Sequence, residues 1–412
     1  MNATNPYAHR TAQATVTVRK PDGAPLAHQD VTVEQRAHKF LFGGTAWEML
    51  GLVGGRFTGA DREKAERIRD GFMELFNVTS LPFYWGGFEP RRGQPHTAAL
   101  RAGAQWFVDH GCVVKGHTLC WHTVTAPWLM ELSNDEIFET QVARIRRDVG
   151  DFAGLIDMWD VVNEGVIMPI FDKYDNGITR ICKERGRIAT IRAMFEAARE
   201  TNPGATLLLN DFDVSPAYDI LVEGCLEAGI RIDVIGIQSH MHQGYWGVEK
   251  TLRVLEAFER FGLPIHFTEN TLVSGEIMPE YIVDLNDYKV AEWPSTPDGE
   301  ARQAEEVATH YKTLFAHPLV ESITWWGLTD GGWLKAPSGL LTQAGIPKPA
   351  YHTLRNLIKG EWWLPPTKMT TDGEGKVQFT GYLGDYAIIC DKKAAEFKLE
   401  NKGETVTEVM LP

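Results

Sequence analysis

Two glutamates stand where apolar runs break off. In "IDMWDVVNEG" (156–165) the run through Trp159 and Val162 ends in Asn163 and Glu164, and in "LPIHFTENT" (263–271) the run Ile265–Phe267 ends in Thr268, Glu269 and Asn270. A short apolar run ending in a polar side chain is the pattern of a buried parallel strand whose C-terminal end carries chemistry. One such Glu is weak evidence, because strand-end glutamates commonly form ordinary salt bridges. Two converging on one site can cleave a glycosidic bond, one protonating the leaving oxygen while the other stabilises positive charge at the sugar carbon.

Further polar and aromatic residues cluster at other strand ends. "GHTLCWH" places His117, Trp121 and His122 together. The His-x4-His spacing invites a metal reading, but the HxH and strand-end Asp of a barrel metallohydrolase are missing, so hydrogen bonding to hydroxyls or carboxylates is expected, with no metal. "IGIQSHMHQGYW" supplies Gln238 and His240 one strand before Glu269, and His240 is expected to hold that carboxylate ionised. "WWGLTDGGW" offers Trp325, Trp326, Asp330 and Trp333 as a floor for a sugar ring, with strand alternation allowing only one of the adjacent tryptophans to face inward.

These positions need a scaffold that brings distant strand ends to one mouth. Eight candidate strands recur through the chain: 39–46, 77–85, 113–121, 156–164, 206–214, 233–241, 264–271 and 322–330. Segments such as "DREKAERIRDGFMELF", "IRAMFEAARE", "VEKTLRVLEAFERF" and "ARQAEEVATHYKTLFAH" follow strands and carry apolar residues at helical spacing. Eight alternations predict an α/β fold, a (β/α)8 TIM barrel. A doubly wound open sheet is disfavoured because no glycine-rich phosphate turn follows the first strand. The long connections 165–184 and 271–300 follow the two glutamate strands, and Tyr281, Tyr288 and Trp293 mark the second as a lid rather than a disordered insertion.

Outside this rhythm, 13–36 gives two alternating runs around Pro21-Asp22-Gly23, read as a hairpin, and the region after 365 gives four more runs with Gly-rich turns. A lone hairpin is marginal, so both termini are expected to join in one accessory antiparallel β-sandwich (12–36 with 365–412) beside a catalytic barrel (37–364).

Composition narrows the partners. The 412 residues are 43% hydrophobic and 23% charged with a net charge of -14 and no basic block, which disfavours nucleic acid and anionic membranes and admits a neutral carbohydrate substrate. The 13 tryptophans suit sugar faces, although any single one serves more often as core. Five cysteines without a CxxC pair and a beginning without a charged-then-apolar leader point to a cytoplasmic protein, or a secreted one if a leader has been removed.

"GHTLCWH", "WDVVNE", "LNDFDV", "IGIQSH", "FTE" and "WWGLTD", in this order, resemble glycoside hydrolase family 10, the retaining xylanase family, over about residues 40–358. The resemblance implies a retaining endo-1,4-β-xylanase-like hydrolase without cofactor, with Glu164 as acid/base, Glu269 as nucleophile and Asn163 on the sugar 2-OH. It also implies that His117, Trp121, Gln238, His240, Trp326 and Trp333 line the subsites.

The chain departs from that family where "VTSLPFYWGGFEPRRGQ" replaces the usual "TPEN" segment and its lysine, with Tyr84 and Trp85 near the lysine's place, and where "TELD" becomes "TENT". The aromatic segment 80–88 is expected to stack rather than hydrogen-bond, turning preference from plain xylan toward a short or decorated glycoside. A carbohydrate-binding protein without catalysis is the alternative, disfavoured because both glutamates and His240 are present.

Overall fold

The computed structural model describes residues 5–412 and divides into two units: the chain up to Leu41 with His352–Pro412, and Phe42–Tyr351. The boundary falls inside the helix Pro349–Asn356, short of the expected barrel end at 364.

In the first unit, β1 (Thr11–Arg19) and β2 (Asp30–His38) alternate buried and exposed side chains as their sequences require. After the eight barrel strands, the unit continues with β11 (Thr367–Thr370), β12 (Lys376–Tyr382), β13 (Gly384–Cys390), β14 (Lys393–Leu399) and β15 (Gly403–Met410). Two sheets result, ordered β12-β1-β15 and β11-β2-β13-β14. The expected N-terminal hairpin is corrected here: β1 and β2 go to different sheets. β1 pairs antiparallel with β12 and parallel with β15, so the accessory unit is not wholly antiparallel. The physical reason is burial. Ala14, Val16 and Val18 of β1 and Val31 and Val33 of β2 enter one core with Tyr386, Ile388, Phe397, Leu399 and Val409, which facing sheets allow and a flat hairpin would not.

The second unit is a closed parallel barrel of β3 (Leu41–Gly44), β4 (Val78–Pro82), β5 (Val113–Cys120), β6 (Met158–Asn163), β7 (Thr206–Asp211), β8 (Val234–Met241), β9 (Ile265–Leu272) and β10 (Val320–Trp325), adjacent in chain order with β10 closing on β3. All eight expected strands are present, several shorter at their C-terminal ends because the chain turns out of the ladder toward the mouth. Intervening helices include Gly59–Leu75, Arg187–Thr201, Gly247–Glu259 and Pro297–Phe315. Asn134–Phe152 starts with a full capping box, Ser133 against Glu136.

The long connection after β9 is packed: Val273, Met278, Trp293 and Ala336 form a small core of their own, joined by Ile282, Leu285 and Tyr288. Trp293 is therefore a core residue of the loop, whereas Tyr281 is 79% exposed. The connection after β6 is tied to it by Lys173, whose Nζ lies 2.5 Å from Asp284 and 2.8 Å from Asp287. No helix among the described residues is long and apolar enough to cross a membrane, and the five cysteines are all free.

Glycine makes the barrel closable at one tight point. A Cβ on Gly116 of β5 would lie 2.1 Å from the fully buried Trp159 ring of β6, and that ring also packs on Phe83. Gly116→Ala should therefore destabilise the barrel by about 1–3 kcal/mol or prevent folding. Thermal unfolding checks this, and an unchanged Tm would refute the packing argument.

Candidate active site

Glu269 lies within β9 and is almost fully buried. Its Oε2 is 3.0 Å from His240 Nε2, its Oε1 accepts a 3.0 Å hydrogen bond from Asn210 Nδ2, and His117 Nε2 stands 4.0 Å from Oε1. Burial alone would raise its pKa; His117, His240 and Lys115 outweigh that and hold the carboxyl below the usual glutamate value. Behind His117, Asp160 receives His117 Nδ1 at 2.7 Å and faces Lys115 Nζ at 2.7 Å, all three side chains being buried.

Glu164 follows β6 with a φ of 59°, a left-handed conformation that costs a side-chain-bearing residue roughly 1–2 kcal/mol. Its backbone N–H donates to Asn210 O at 2.8 Å, which pins the turn. Its carboxyl meets Asn163 Nδ2 at 3.3 Å and Gln238 Nε2 at 3.5 Å, with His122 Nε2 3.8 Å away. Burial, with the like charges of Asp211 and Glu269, pushes its pKa up to about 8, against the opposing effect of Trp121 and Gln238. His122 does not supply a compensating cation, because burial lowers its pKa to about 4. Asp211, itself raised to about 7 by burial, caps the turn after Glu164 by accepting from Val166 N at 3.0 Å.

Asn210, at the end of β7, links the two halves. Its Nδ2 serves both Asn163 Oδ1 (2.7 Å) and Glu269 Oε1 (3.0 Å), and its Oδ1 accepts from Thr268 Oγ1 (2.6 Å). Gly236 makes room for it, since a Cβ there would lie 2.4 Å from Asn210 Oδ1. Gln238 adds a 3.0 Å bond to Asn163 Oδ1, so a continuous line of amides joins one carboxyl to the other.

Around these groups stand aromatic rings. Trp326 lies 5.1 Å from His117, and Trp333 lies edge-on to His240 at 4.7 Å and donates to Asn286 Oδ1 at 3.0 Å. Of the adjacent pair, Trp325 is buried, donating to Ser338 O, and Trp326 is the one at the mouth, as alternation requires. Trp121 packs against Tyr84 at 5.3 Å, and its side chain counters the upward shift of Glu164.

Thus Asn163, Glu164, His117, Trp121, Gln238, His240, Glu269, Trp326 and Trp333 are brought together. Trp85 is not. It opens the short helix Trp85–Phe88, is 4% exposed, donates to Glu89 Oε2 and lies under the Arg144 guanidinium, because that helix turns its ring away from the lumen. Phe83 and Phe88 are likewise buried, so the expected aromatic wall shrinks to Tyr84 in that segment. Tyr84 contacts His117 at 5.5 Å, and burial together with Glu269, Glu164 and Asp160 raises its pKa well above the usual value. Asp330 also leaves the expected floor, taken up by the buried Lys348 at 2.9 Å.

Sequence reasoning missed Asn210, Lys115, Asp160 and Trp47 as site residues. Lys115 and Asp160 carried a usable signal: a charge inside an apolar barrel strand, with Lys115 two residues before His117 and so on its face. Among the described residues no three His, Cys, Asp or Glu side chains are grouped to hold a metal ion.

The sequence model of glycosyl hydrolase family 10 matches residues 81–357. The chain is 26% identical over 317 residues to endo-1,4-beta-xylanase B of Thermotoga neapolitana, covering 72% of this chain and 84% of that protein. It is 25% identical over 288 residues to an endo-1,4-beta-xylanase of Geobacillus stearothermophilus, covering 63% and 81%. In three dimensions it is similar to xylanase 10B from Thermotoga maritima, with a TM-score of 0.63 at 22% identity over 78% of this chain and 96% of that one. It is similar also to xylanase 10B from Thermotoga petrophila RKU-1 in complex with xylobiose, at TM-score 0.64, 22% identity, 78% and 95%. With two carboxyls treated oppositely at the mouth of a (β/α)8 barrel, and a family match over more than half its length, the chain belongs to glycosyl hydrolase family 10, as a glycoside hydrolase resembling the endo-1,4-β-xylanases.

Proposed function

We propose that the protein hydrolyses β-linked xylosides, xylan-derived oligosaccharides or short and decorated glycosides, with retention of configuration. Glu269 attacks the anomeric carbon while Glu164 protonates the departing oxygen. Glu164 then takes a proton from water, which attacks the same carbon and releases Glu269. The carrying observation is the split between the carboxyls: cations, imidazoles and an amide favour charge on Glu269, whereas burial and like charges keep a proton on Glu164 near neutrality. The relatives named as xylanases support xylo-configured sugars as the substrate class. Asn163 and Gln238 are assigned to hydroxyls of the reacting sugar, and His117, His240, Trp121, Trp326 and Trp333 to its walls; no metal or organic cofactor enters the reaction.

Early product from a β-xyloside should be the β-anomer by NMR, and initial α-product would overturn retention. Glu164→Ala should lose about 10²–10⁴-fold in kcat on substrates with alkoxide leaving groups and far less on activated aryl glycosides, while Glu269→Ala is inactive on both. Equal losses on every substrate would remove the role split.

The pH profile of kcat/KM follows from the same groups. Glu164 must be protonated, so activity falls as pH rises through about 8; Glu269 must be ionised, so activity falls as pH drops below the usual glutamate range. Asp211→Asn removes a like charge from Glu164 and should move the alkaline limb to lower pH. An unmoved limb would exclude Asp211 from this role.

Gly236→Ala should displace the Asn210 amide from both partners and lower kcat about 10-fold or more with the fold retained. Wild-type kcat in a folded variant would remove Asn210 from the positioning network.

A further inference from the structure

The loops after β3, β4 and β10 each contribute one ring to a continuous aromatic wall. Trp326 meets Trp47 at 5.6 Å and 85°, Trp47 meets Tyr84 at 5.6 Å and 81°, and Tyr84 meets Trp121 at 5.3 Å. His117 fills the angle behind, 5.1 Å from Trp326 and 5.5 Å from Tyr84. The first two pairs are edge-to-face and Tyr84 is tilted at 39° to Trp121, and at these spacings no sugar ring passes between them. The wall is also anchored, because the Trp47 indole N–H donates to Ser80 O at 2.9 Å. The Tyr84 phenol makes no hydrogen bond with a described residue and is left to meet a sugar hydroxyl; its pKa is raised by burial, Glu269 and Glu164, which places it beside the reacting centre.

The position of the wall gives it meaning. In the barrel order β10 lies directly across the mouth from β6, which delivers Glu164, with β3 beside β10 and β4 two strands from β6. Glu164, as the acid, has to reach the glycosidic oxygen, so the leaving group extends on its side and the non-reducing end of the substrate points toward the wall. The two loops that follow the glutamate strands are joined on the other side by Lys173 with Asp284 and Asp287.

We propose that Trp47, Tyr84 and Trp326 close the non-reducing side of the cleft immediately beyond the reacting sugar, so that the enzyme removes single β-linked xylosyl units from chain ends instead of cutting inside a polymer. The inference rests on the glycosidase reading above and changes none of its bonds: the C1–O bond breaks, C1 joins Glu269, and water then replaces Glu269. It names the substrate as a β-xyloside with a free non-reducing end, its aglycone a short xylo-oligosaccharide or a non-sugar alcohol.

The full-length protein is given xylobiose to xylohexaose labelled at the reducing end, with 4-nitrophenyl β-xyloside as a control. Xylose is expected as the first product from every length, with kcat/KM changing less than about threefold along the series and no cleavage when the non-reducing 4-OH is blocked by a methyl group. Unlabelled xylobiose or longer unlabelled fragments as first products, kcat/KM climbing tenfold or more with length, or cleavage of the blocked chains would overturn it. Such internal cleavage, with or without hydrolysis of the aryl xyloside, defeats the end-acting claim alone, whereas no hydrolysis of any of these substrates defeats the glycosidase reading beneath it. In Trp47→Ala the opened wall should let unlabelled fragments longer than xylose appear among first products, and a folded variant whose only unlabelled first product from the longer chains is xylose would count against the wall.

Discussion

An ionised carboxylate inside a barrel is tolerable only when nearby charge and hydrogen bonds replace the water it has lost. Glu269 is in that position, and much of the barrel's polar interior exists to answer it. Lys115 on β5 and Asp160 on β6 form a buried pair, His117 bridges from Asp160 toward the carboxyl, and His240 and Asn210 contact its two oxygens. They come from four adjacent strands, β5 to β8, so the charge can be held only in a closed barrel with the correct register. The close approach of β5 to β6 that this demands is why Gly116 faces the Trp159 ring with no room for a methyl group.

The same surroundings leave Glu164 without a cation. Its imidazole neighbour His122 is kept neutral by burial, and its carboxylate neighbour Asp211 raises its proton affinity further. A barrel with near-uniform strands thus produces two unlike carboxyls because the basic residues lie on β5 and β8 toward Glu269, whereas the ring on the other flank is amide and aromatic. In Thr271, a hydroxyl lies 3.5 Å from His240 Nδ1 and 3.3 Å from His242 Nδ1, where the related motif would place an acid; His240 here is oriented without a second negative charge.

The barrel and the pair Glu164 and Glu269 were legible because period and strand-end chemistry are local signals. The strand Val113–Cys120 and its His117 could be placed from an apolar run and a polar terminus alone. What failed depended on direction. Trp85 and Tyr84 are neighbours in sequence, and only the helix Trp85–Phe88 decides which ring enters the mouth. Asn210 was unreadable because an Asn at a strand end acquires its role from Asn163 and Glu269 on other strands. The β1–β2 hairpin failed for a related reason: the turn residues fit a hairpin, but the apolar faces of both strands find a larger core by separating.

That separation carries a consequence for how the chain is made. β1 has no complete sheet until β12 and β15 exist, and both lie hundreds of residues downstream. At ribosomal speed the N-terminal strand waits on the order of tens of seconds for its partners. During that interval the barrel can close on nearer contacts, strand by strand, while Val16 and Val18 remain uncovered. The accessory sandwich thereby acts as a late clasp on synthesis: a nascent chain released early presents an unpaired apolar strand at its front, a feature that quality-control machinery is built to bind.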